Sequence, residues 1–170
     1  MKRIFLFIIL TLFCTIGLGA LTRTYIIVID LTKLTLTLNT LYPVSLPSDP
    51  APLTYRIGAG KLGKEDGISY TPLGTFKITY KTKHPWYKDV GDNSELISPY
   101  KHDKRNKYGT RILGLSYKRL GASRGLAIHG TNEPDLIPGY CSNMCIRMKN
   151  ADIEELYNFV TVDTQVIILP

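Results

Sequence analysis

A strict alternation of leucine and threonine constrains the fold of this chain more than any other feature of its sequence. Residues 33–40 read KLTLTLNT, with leucine at positions 34, 36 and 38. A period of two is typical of a β-strand that buries one face and exposes the other. Residues 24–30, TYIIVID, predict a strand just before it. The two-residue link Leu31-Thr32 predicts that these strands form a hairpin.

Similar strand-like segments recur along the chain, separated by stretches rich in proline, glycine and polar residues. They are residues 53–60, 73–82, 110–117, 125–130 and 164–170. One helix is predicted over 151–160, where Ile153, Leu156, Tyr157 and Val160 share a face. Asn150 precedes it and is a favoured N-cap residue. Residues 24–170 are therefore predicted to form one domain, mainly β with one or two helices, in the α+β class.

The first 23 residues, MKRIFLFIILTLFCTIGLGALTR, have a different character. Lys2 and Arg3 are followed by eighteen residues of low polarity, from Ile4 to Leu21. As a helix these would span about 27 Å, close to the roughly 30 Å of a bilayer core. We expect export to the cell envelope, either to the periplasm or to the outer face of the cytoplasmic membrane. Residues 1–23 would be a cleaved signal peptide or a retained membrane anchor, and both remain open.

Charge is distributed unevenly in a chain whose net charge is +7. Residues 77–124 carry twelve Lys and Arg against four Asp and Glu, whereas residues 125–170 carry two against six. A basic segment can attract nucleic acid, anionic lipid or another anionic polymer, or it can simply form a solvated surface. The export segment and the lack of a recognition motif argue against a nucleic-acid partner.

Two glycine patterns suggest nucleotide binding but lack the context that it requires. Gly58 to Gly63 matches G-x-G-x-x-G, and Gly58 to Lys64 matches G-x-x-x-x-G-K. Both motifs need a helix that begins at the loop and directs its amides at phosphate. The continuation EDGISYTPLG is rich in helix-breaking residues, and Glu65 stands where a magnesium-binding Ser or Thr is expected. We predict a turn here and no nucleotide cofactor.

Cys145 and His129 are the residues best suited to chemistry. The spacing of the cysteines and histidines fits no common zinc pattern, so no metal is expected. A cysteine attacks as its thiolate and needs an oriented base nearby. His129 ends an apolar segment, and the loop between it and Cys145 contains two prolines and a glycine that could turn the chain back. Taken alone, these residues also fit an inert buried pair.

Three segments resemble the L,D-transpeptidase catalytic domain of the YkuD family. IHGTNEPDLIPGYCSNMCIRM (128–148) is similar to the family's His-Gly followed by Ser-x-Gly-Cys-x-Arg. YTPLGTFKI (70–78) resembles its Thr-Pro-x-Gly-x-Phe segment, and TYIIVIDLTKLTLTL resembles its first hairpin. The resemblance extends from about Tyr25 to Leu169. It implies a β-sandwich-like domain built around one mixed sheet.

The resemblance also implies an activity and roles for particular residues. Family members form an acyl-enzyme with peptidoglycan stem peptides, in 3-3 cross-linking or protein attachment, and so serve peptidoglycan biosynthesis, cell wall organisation and cell shape. The implied nucleophile is Cys145, with His129 as general base and then acid. The Gly130 carbonyl would orient the imidazole, and Ser142 and Arg147 would support the cysteine and substrate. Stem peptides are then the expected partner, with an envelope protein as a further possible acceptor.

Met144 departs from this pattern, because the family has glycine immediately before the cysteine. Glycine permits unusual backbone angles and close substrate approach, whereas methionine would narrow the pocket. Two alternatives to a transpeptidase therefore remain open: an L,D-carboxypeptidase, in which water is the acceptor, and a peptidoglycan-binding pseudoenzyme. A second departure is Asp163, which stands where glycine usually turns the chain into the last strand.

Overall fold

The computed structural model describes residues 24–41, 51–61, 70–88, 96–97, 105–117 and 125–170. The predicted signal peptide or anchor, residues 1–23, lies outside the described residues, as does most of the segment that follows the glycine motifs. In the described ranges no helix has the length and apolar character needed to cross a membrane.

Eight strands close into a barrel. The strands in chain order are β1 (Thr24–Asp30), β2 (Thr35–Leu41), β3 (Leu53–Gly58), β4 (Gly74–Lys83), β5 (Tyr87–Lys88), β6 (Leu96–Ile97), β7 (Arg111–Leu115), β8 (Ala127–His129), β9 (Ile146–Met148) and β10 (Gln165–Leu169). Around the barrel the order is β1-β10-β4-β7-β8-β9-β3-β2, while β5 and β6 form a separate two-stranded sheet. The mainly β prediction is confirmed, but the arrangement is a closed barrel rather than a sandwich.

The barrel closes where the first and last strands meet. β1 pairs with β10 in parallel, with Ile27 opposite Val166 and Ile29 opposite Ile168, and all four side chains are buried. β1 also pairs antiparallel with β2, which confirms the predicted hairpin. Closure leaves each of the eight strands with two neighbours, so none of them is an edge strand.

The hairpin turn is longer than the sequence suggested. Its strands are joined by residues 31–34 rather than by two residues, because the ladder resumes only where Thr35 pairs with Asp30. The Asp30 carboxylate accepts hydrogen bonds from the Lys33 backbone amide at 2.8 Å and its ammonium group at 2.7 Å. Leu34 completes the turn with a positive φ of 53°.

Helix α1 (Asn150–Phe159) packs on the barrel through the predicted face. Ile153, Leu156 and Val160 are fully buried in the core, and Tyr157 packs against it. The predicted N-cap is wrong: Lys149 occupies that position and makes no side-chain cap. The side chain of Asn150 bonds instead to the backbone of Thr131, on a loop that follows β8.

β4, β7, β8 and β9 are consecutive in the barrel and have two distinct faces. One face points into the core through Ile78, Leu113, Ile128 and Ile146, one residue from each strand. Because side chains alternate along a strand, the residues next to these point outward. A pocket lies on that outward face.

Candidate active site

The pocket encloses about 680 Å³ over the outward face of these four strands. Its walls come from the strands, from the segments around β5 and before β7, and from the loop before β9. The lining residues are Tyr80, Tyr87, Lys107, Tyr108, Ile112, Gly125, Ala127, His129, Ser142, Asn143, Met144, Cys145 and Arg147. Ser142, Met144, Cys145 and Arg147 thus line one cavity with His129, which lies 13 residues before Ser142 in the sequence.

Strand register explains why His129 and Cys145 meet. β8 and β9 are parallel, with Ile128 opposite Ile146 and His129 opposite Arg147. Continued by one residue, this register puts Cys145 beside Ala127, two positions along from His129 on the same face. Diagonal neighbours on adjacent strands are close enough for side-chain contact. The loop of prolines and glycine between them therefore does return the chain, as predicted.

His129 is held as a neutral imidazole. Its side chain is buried, and its Nδ1 lies 2.6 Å from the carbonyl oxygen of Gly130. A carbonyl can only accept, so Nδ1 carries the proton and Nε2 keeps its lone pair. Burial lowers the pKa of His129 to about 4, the Gly130 hydrogen bond opposes this, and the positive charge of Arg147 adds to the lowering. Near neutral pH, Nε2 can accept a proton.

The side-chain amide of Asn150, on α1, fixes the backbone that follows His129. Asn150 Nδ2 donates to the Thr131 carbonyl at 3.0 Å, and its Oδ1 accepts from the Thr131 amide at 3.1 Å. The Gly130 amide donates to the carbonyl of Arg111 on β7 at 3.1 Å. A β-carbon on Gly130 would overlap the Asn150 amide oxygen, so a larger residue would displace the amide that holds Thr131. The carbonyl that orients the imidazole is thereby held in place.

Cys145 is half-buried, and its thiol reaches the Gly125 carbonyl at 3.8 Å. The peptide groups around it are anchored from two sides. Ser142 Oγ donates to the Cys145 carbonyl at 2.5 Å, and the Ser142 amide donates to Ala59 at 3.0 Å. Ser142 therefore ties the loop before β9 to the end of β3.

Thr71 anchors the other side of this loop. Its hydroxyl donates to the Met144 carbonyl at 2.9 Å and accepts from the Gly60 amide at 2.9 Å. In a trans peptide the N–H points opposite to the C=O. Because the Met144 carbonyl is turned toward Thr71, the Cys145 amide hydrogen faces away from it. Such an amide can serve as an oxyanion-hole donor.

Met144 adopts an ordinary backbone conformation. In the described ranges only Leu34, His84 and Asp163 combine a side chain with a positive φ, so Met144 does not need the conformational freedom of glycine. Its side chain lines the pocket while packing against the core. The methionine therefore reduces the space beside Cys145 without straining the loop.

The positive charge of Arg147 is partly balanced. Its guanidinium contacts the Glu133 carboxylate at 2.8 Å, and its side chain is only 15% exposed. Lys107 lines the same pocket and lies over the ring of Tyr87. The cavity thus presents two cations and, through Glu133, one nearby anion. This balance favours ligands with carboxylates.

Cys141 lies away from the pocket, against β3. Its sulfur would be 2.5 Å from a β-carbon at Gly58, so the glycine provides the space that the thiol fills. In the part of the chain that the structure describes, no three or more His, Cys, Asp or Glu side chains are grouped to hold a metal ion.

Comparison with known proteins decides the family. The profile described as the YkuD L,D-transpeptidase catalytic domain matches residues 24–168. This chain belongs to the YkuD family. YqjB of Bacillus subtilis (strain 168), whose name assigns it to the L,D-transpeptidases, is 36% identical over 106 residues, which are 62% of this chain and 54% of YqjB. YbiS of Escherichia coli (strain K12), assigned likewise, is 32% identical over 65% of this chain and 35% of YbiS. The YkuD-family chain spans about half the length of the curated relatives that it matches first.

Solved L,D-transpeptidases share the fold of this YkuD-family chain. The enzyme from Mycobacterium smegmatis gives a TM-score of 0.60 at 15% identity, over 87% of this chain and 59% of that one. L,D-transpeptidase 3 from Mycobacterium tuberculosis, in complex with a faropenem-derived adduct, gives 0.57 at 18% identity, over 87% and 61%. At these identities the comparison establishes the fold alone.

Sequence reasoning missed three residues at this YkuD-family site. Thr71 lay in a recognised segment without a role, and Asn150 was interpreted as a helix cap. Tyr80, on β4, lies in the segment 73–82, for which only a strand was predicted. A threonine within a recognised motif was the one available signal, because the other two depend on long-range pairing.

Proposed function

We propose that this domain is a cysteine-dependent L,D-transpeptidase, an acyltransferase that acts on peptidoglycan stem peptides through an acyl-enzyme on Cys145. The observation that carries the proposal is the buried, neutral His129, held by Gly130 one strand away from Cys145 in a YkuD-family pocket. A neutral imidazole beside a thiol is the arrangement that general-base activation needs.

In the first half-reaction, His129 Nε2 takes the proton of the Cys145 thiol. The thiolate attacks the carbonyl carbon of the L-centre in the donor stem and forms a tetrahedral intermediate. Collapse breaks the bond to the terminal D-residue, whose nitrogen takes the proton from the imidazolium and leaves as an amine. The thiolate and imidazolium stabilise each other, which offsets the low basicity that burial gives His129.

In the second half-reaction an amine attacks the thioester. His129 removes a proton from that amine, the new amide forms, and Cys145 is released. The Cys145 amide, directed by Thr71 and the Met144 carbonyl, serves as an oxyanion donor in both halves. Ser142 holds the loop, and Arg147 with Lys107 provides the positive charge that suits the carboxylates of stem peptides.

Covalent trapping tests this proposal. Because a solved relative carries a faropenem-derived adduct, faropenem is a suitable probe. We expect intact-mass spectrometry of the full chain to show one adduct, mapped by proteolysis to Cys145. Cys145→Ala should remove it, and Cys141→Ser, which lies outside the pocket, should retain it. An adduct that persists in Cys145→Ala would contradict the proposal.

Met144 supports a second candidate, a peptidoglycan-binding pseudoenzyme, because its side chain fills space beside the sulfur. This candidate predicts that the wild-type protein binds stem peptides but gains no adduct, and that Met144→Gly restores one. An L,D-carboxypeptidase would form the adduct, yet it would release the shortened stem at the same rate with or without an acceptor amine. Product analysis in both conditions separates hydrolysis from transfer.

Export of the domain to the cell envelope is part of the same proposal and rests on the apolar segment 4–21. The acceptor would then be a stem amine or an envelope protein, and a retained segment would attach the domain to the membrane. Fractionation of cells that produce the full chain tests this. Recovery with the cytoplasmic fraction would contradict it.

A further inference from the structure

A β-bulge in β4 changes which side chain faces the pocket. Ile78 pairs with Leu115 of β7, but Tyr80 pairs with Gly114, so Thr79 is one residue in excess. If pairing continued regularly from Ile78, Thr79 would pair with Gly114 and Tyr80 with Leu113, which points into the core. Bulges are known to redirect side chains near active sites. Here the bulge transfers Tyr80 from the core face to the pocket face, and the Thr79 hydroxyl occupies the gap by bonding to the Gly114 carbonyl at 3.2 Å.

Tyr80 is aligned with the reactive cysteine across the sheet. It pairs with Gly114 of β7, which pairs with Ala127 of β8, and the β8–β9 register places Cys145 beside Ala127. These four residues form one row on the outward face. The next row contains His129 and Arg147. The His129 imidazole therefore lies one row away from Cys145 along the strand direction, and Tyr80 lies in the same row as Cys145, across the strands.

The two residues between Tyr80 and Cys145 are small, which lets the phenol ring lie across them. A β-carbon on Gly114 would overlap ring atoms Cε1, Cζ and Cδ1 of Tyr80, so the ring rests directly on that glycine. Ala127 adds only a methyl group to the path. The hydroxyl is consequently carried over β7 toward β8 and β9, and both Tyr80 and Cys145 line the pocket.

The electrostatic surroundings keep this hydroxyl protonated. Burial raises the pKa of Tyr80, and the negative charge of the Cys145 thiolate raises it further. A phenol that remains protonated throughout the reaction is a hydrogen-bond donor.

We propose that Tyr80 is a further catalytic residue, whose hydroxyl donates a hydrogen bond to the carbonyl oxygen of the acyl group bound at Cys145, and this rests on the proposed function. The oxygen becomes negatively charged in the tetrahedral intermediate, where a donor stabilises it most. Tyr80 would act together with the Cys145 amide. The donor comes from a strand that contributes no residue to the His-Cys motif.

Two reagents that react with the same sulfur test this assignment. Acylation by faropenem forms an oxyanion, whereas alkylation by iodoacetamide requires only the thiolate. Loss of a buried oxyanion donor costs about 10²- to 10³-fold in rate, and Tyr80 is 51% exposed, so we expect Tyr80→Phe to slow acylation about tenfold. Alkylation of Cys145, read by peptide mapping, should keep its wild-type rate. Tyr25→Phe, a phenol on β1 distant from the pocket, should change neither rate.

Gly114→Ala gives an independent test, because its methyl group would displace the ring while leaving the hydroxyl present. We expect it to slow acylation by a similar factor, and to add little when Tyr80 is already Phe, since both changes remove the same contact. Equal effects of Gly114→Ala in both backgrounds would overturn the assignment.

The remaining outcomes are also decisive. Wild-type acylation rates in Tyr80→Phe would overturn the inference alone. An equal loss of acylation and alkylation would also overturn it, because the hydroxyl would then act on the sulfur. Failure of the wild-type protein to be acylated at all would overturn the proposed function.

Discussion

At the residue scale, the site depends on the His129 imidazole remaining uncharged. Burial lowers its pKa to about 4, although the Gly130 carbonyl favours the protonated ring. The balance gives a base that is unprotonated across the physiological range. It also means that, at mildly acidic pH, the unfolded chain binds a proton at His129 that the folded protein does not bind.

His129 should therefore make stability depend on pH. Since the folded-state pKa lies below the ordinary 6.5, the unfolded chain binds more protons between about pH 6.5 and 4. Stability is lost as the pH falls through this window, by about 3 kcal/mol in total at about 1.4 kcal/mol per pKa unit. Urea unfolding at pH 7.5 and 4.5 should show this loss in the wild-type protein.

The matched variants for this measurement are His129→Gln and His84→Asn. The first lacks the titrating ring and should lose less stability on acidification. The second changes an exposed histidine and should keep the wild-type dependence. An equal pH dependence in all three proteins would contradict the burial argument.

At this scale the family resemblance selected the candidate residues that the structure places in one pocket, whereas the residue types alone also fit an inert buried pair. His129, Cys145 and Arg147 each need a particular functional group, so their identity is visible in the sequence. Thr71 and Asn150 act through backbone groups far along the chain, at Met144 and Thr131. Which backbone group a threonine or asparagine will meet depends on packing, and the sequence pattern does not contain that information.

At the element scale, Asp163 lies in the turn from α1 into β10, at a position where the family resemblance led us to expect glycine. Asp163 has a φ of 70°, a left-handed conformation that glycine adopts without steric cost. Its amide donates to the Ile78 carbonyl at 2.9 Å, which fastens the turn to β4 beside the bulge. The expectation that this position favours glycine is consistent with the observed backbone.

Substitutions at Asp163 should change stability according to backbone conformation. We expect Asp163→Gly to be about 0.5 kcal/mol more stable, because relief of strain exceeds the greater entropy that glycine has when unfolded. Asp163→Val should be less stable by about 1–2 kcal/mol, since a β-branched residue tolerates this region poorly. Loss of the exposed contact with Lys77, at 4.0 Å, contributes little to either change.

Chemical denaturation measures both variants, and faropenem acylation of the folded proteins serves as the control. The acylation rate should be unchanged in Asp163→Gly. If valine were tolerated as well as glycine, the left-handed conformation would not be what limits this turn.

Strands were predicted successfully where the sequence pattern extended over enough residues to be recognised. The seven predicted strand segments each contain an observed strand, and in all but the segment 125–130 that strand has five or more residues, long enough for a pattern to be distinctive. β9 has only three residues and was not recognised. The bulge in β4 was also missed, since one unpaired threonine leaves the composition of a strand unchanged.

At the scale of the whole molecule, the barrel makes the site depend on strands that never touch it. β1 lies four strands from β8 in either direction around the barrel. The core is continuous from Ile27 to Ile146, so both sides of the barrel pack on the same buried residues. A sequence pattern identifies strands but does not show which strands pair with each other. The pairing of β1 with β10 that closes the barrel was therefore not predicted.

A small change in β1 should therefore affect the pocket through global unfolding. Ile27→Val removes one buried methylene and should cost about 0.5–1.5 kcal/mol. We expect unfolding by circular dichroism and exposure of Cys145 to alkylation to share one midpoint in urea, and to shift together in the variant.

Cys14→Ser and Cys141→Ser should be present in both proteins of that comparison, so that only Cys145 reacts. Two separate midpoints would show that the pocket opens independently of the barrel. Coincident midpoints would establish that the four strands of the site form a single cooperative unit with β1.

The bulge at Thr79 has a consequence for how such pockets diverge. Loss of the Thr79 codon would restore regular pairing and leave Tyr80 opposite Gly114, whereas loss of the Tyr80 codon would put Thr79 there and remove the phenol from the cavity, while Cys145 and His129 kept their positions. A gain or loss of three nucleotides in β4 can therefore change which side chain faces the pocket while the His-Cys motif is untouched. Insertions and deletions in β4, and not only substitutions near the cysteine, are a route by which related pockets can acquire different side chains beside the same cysteine.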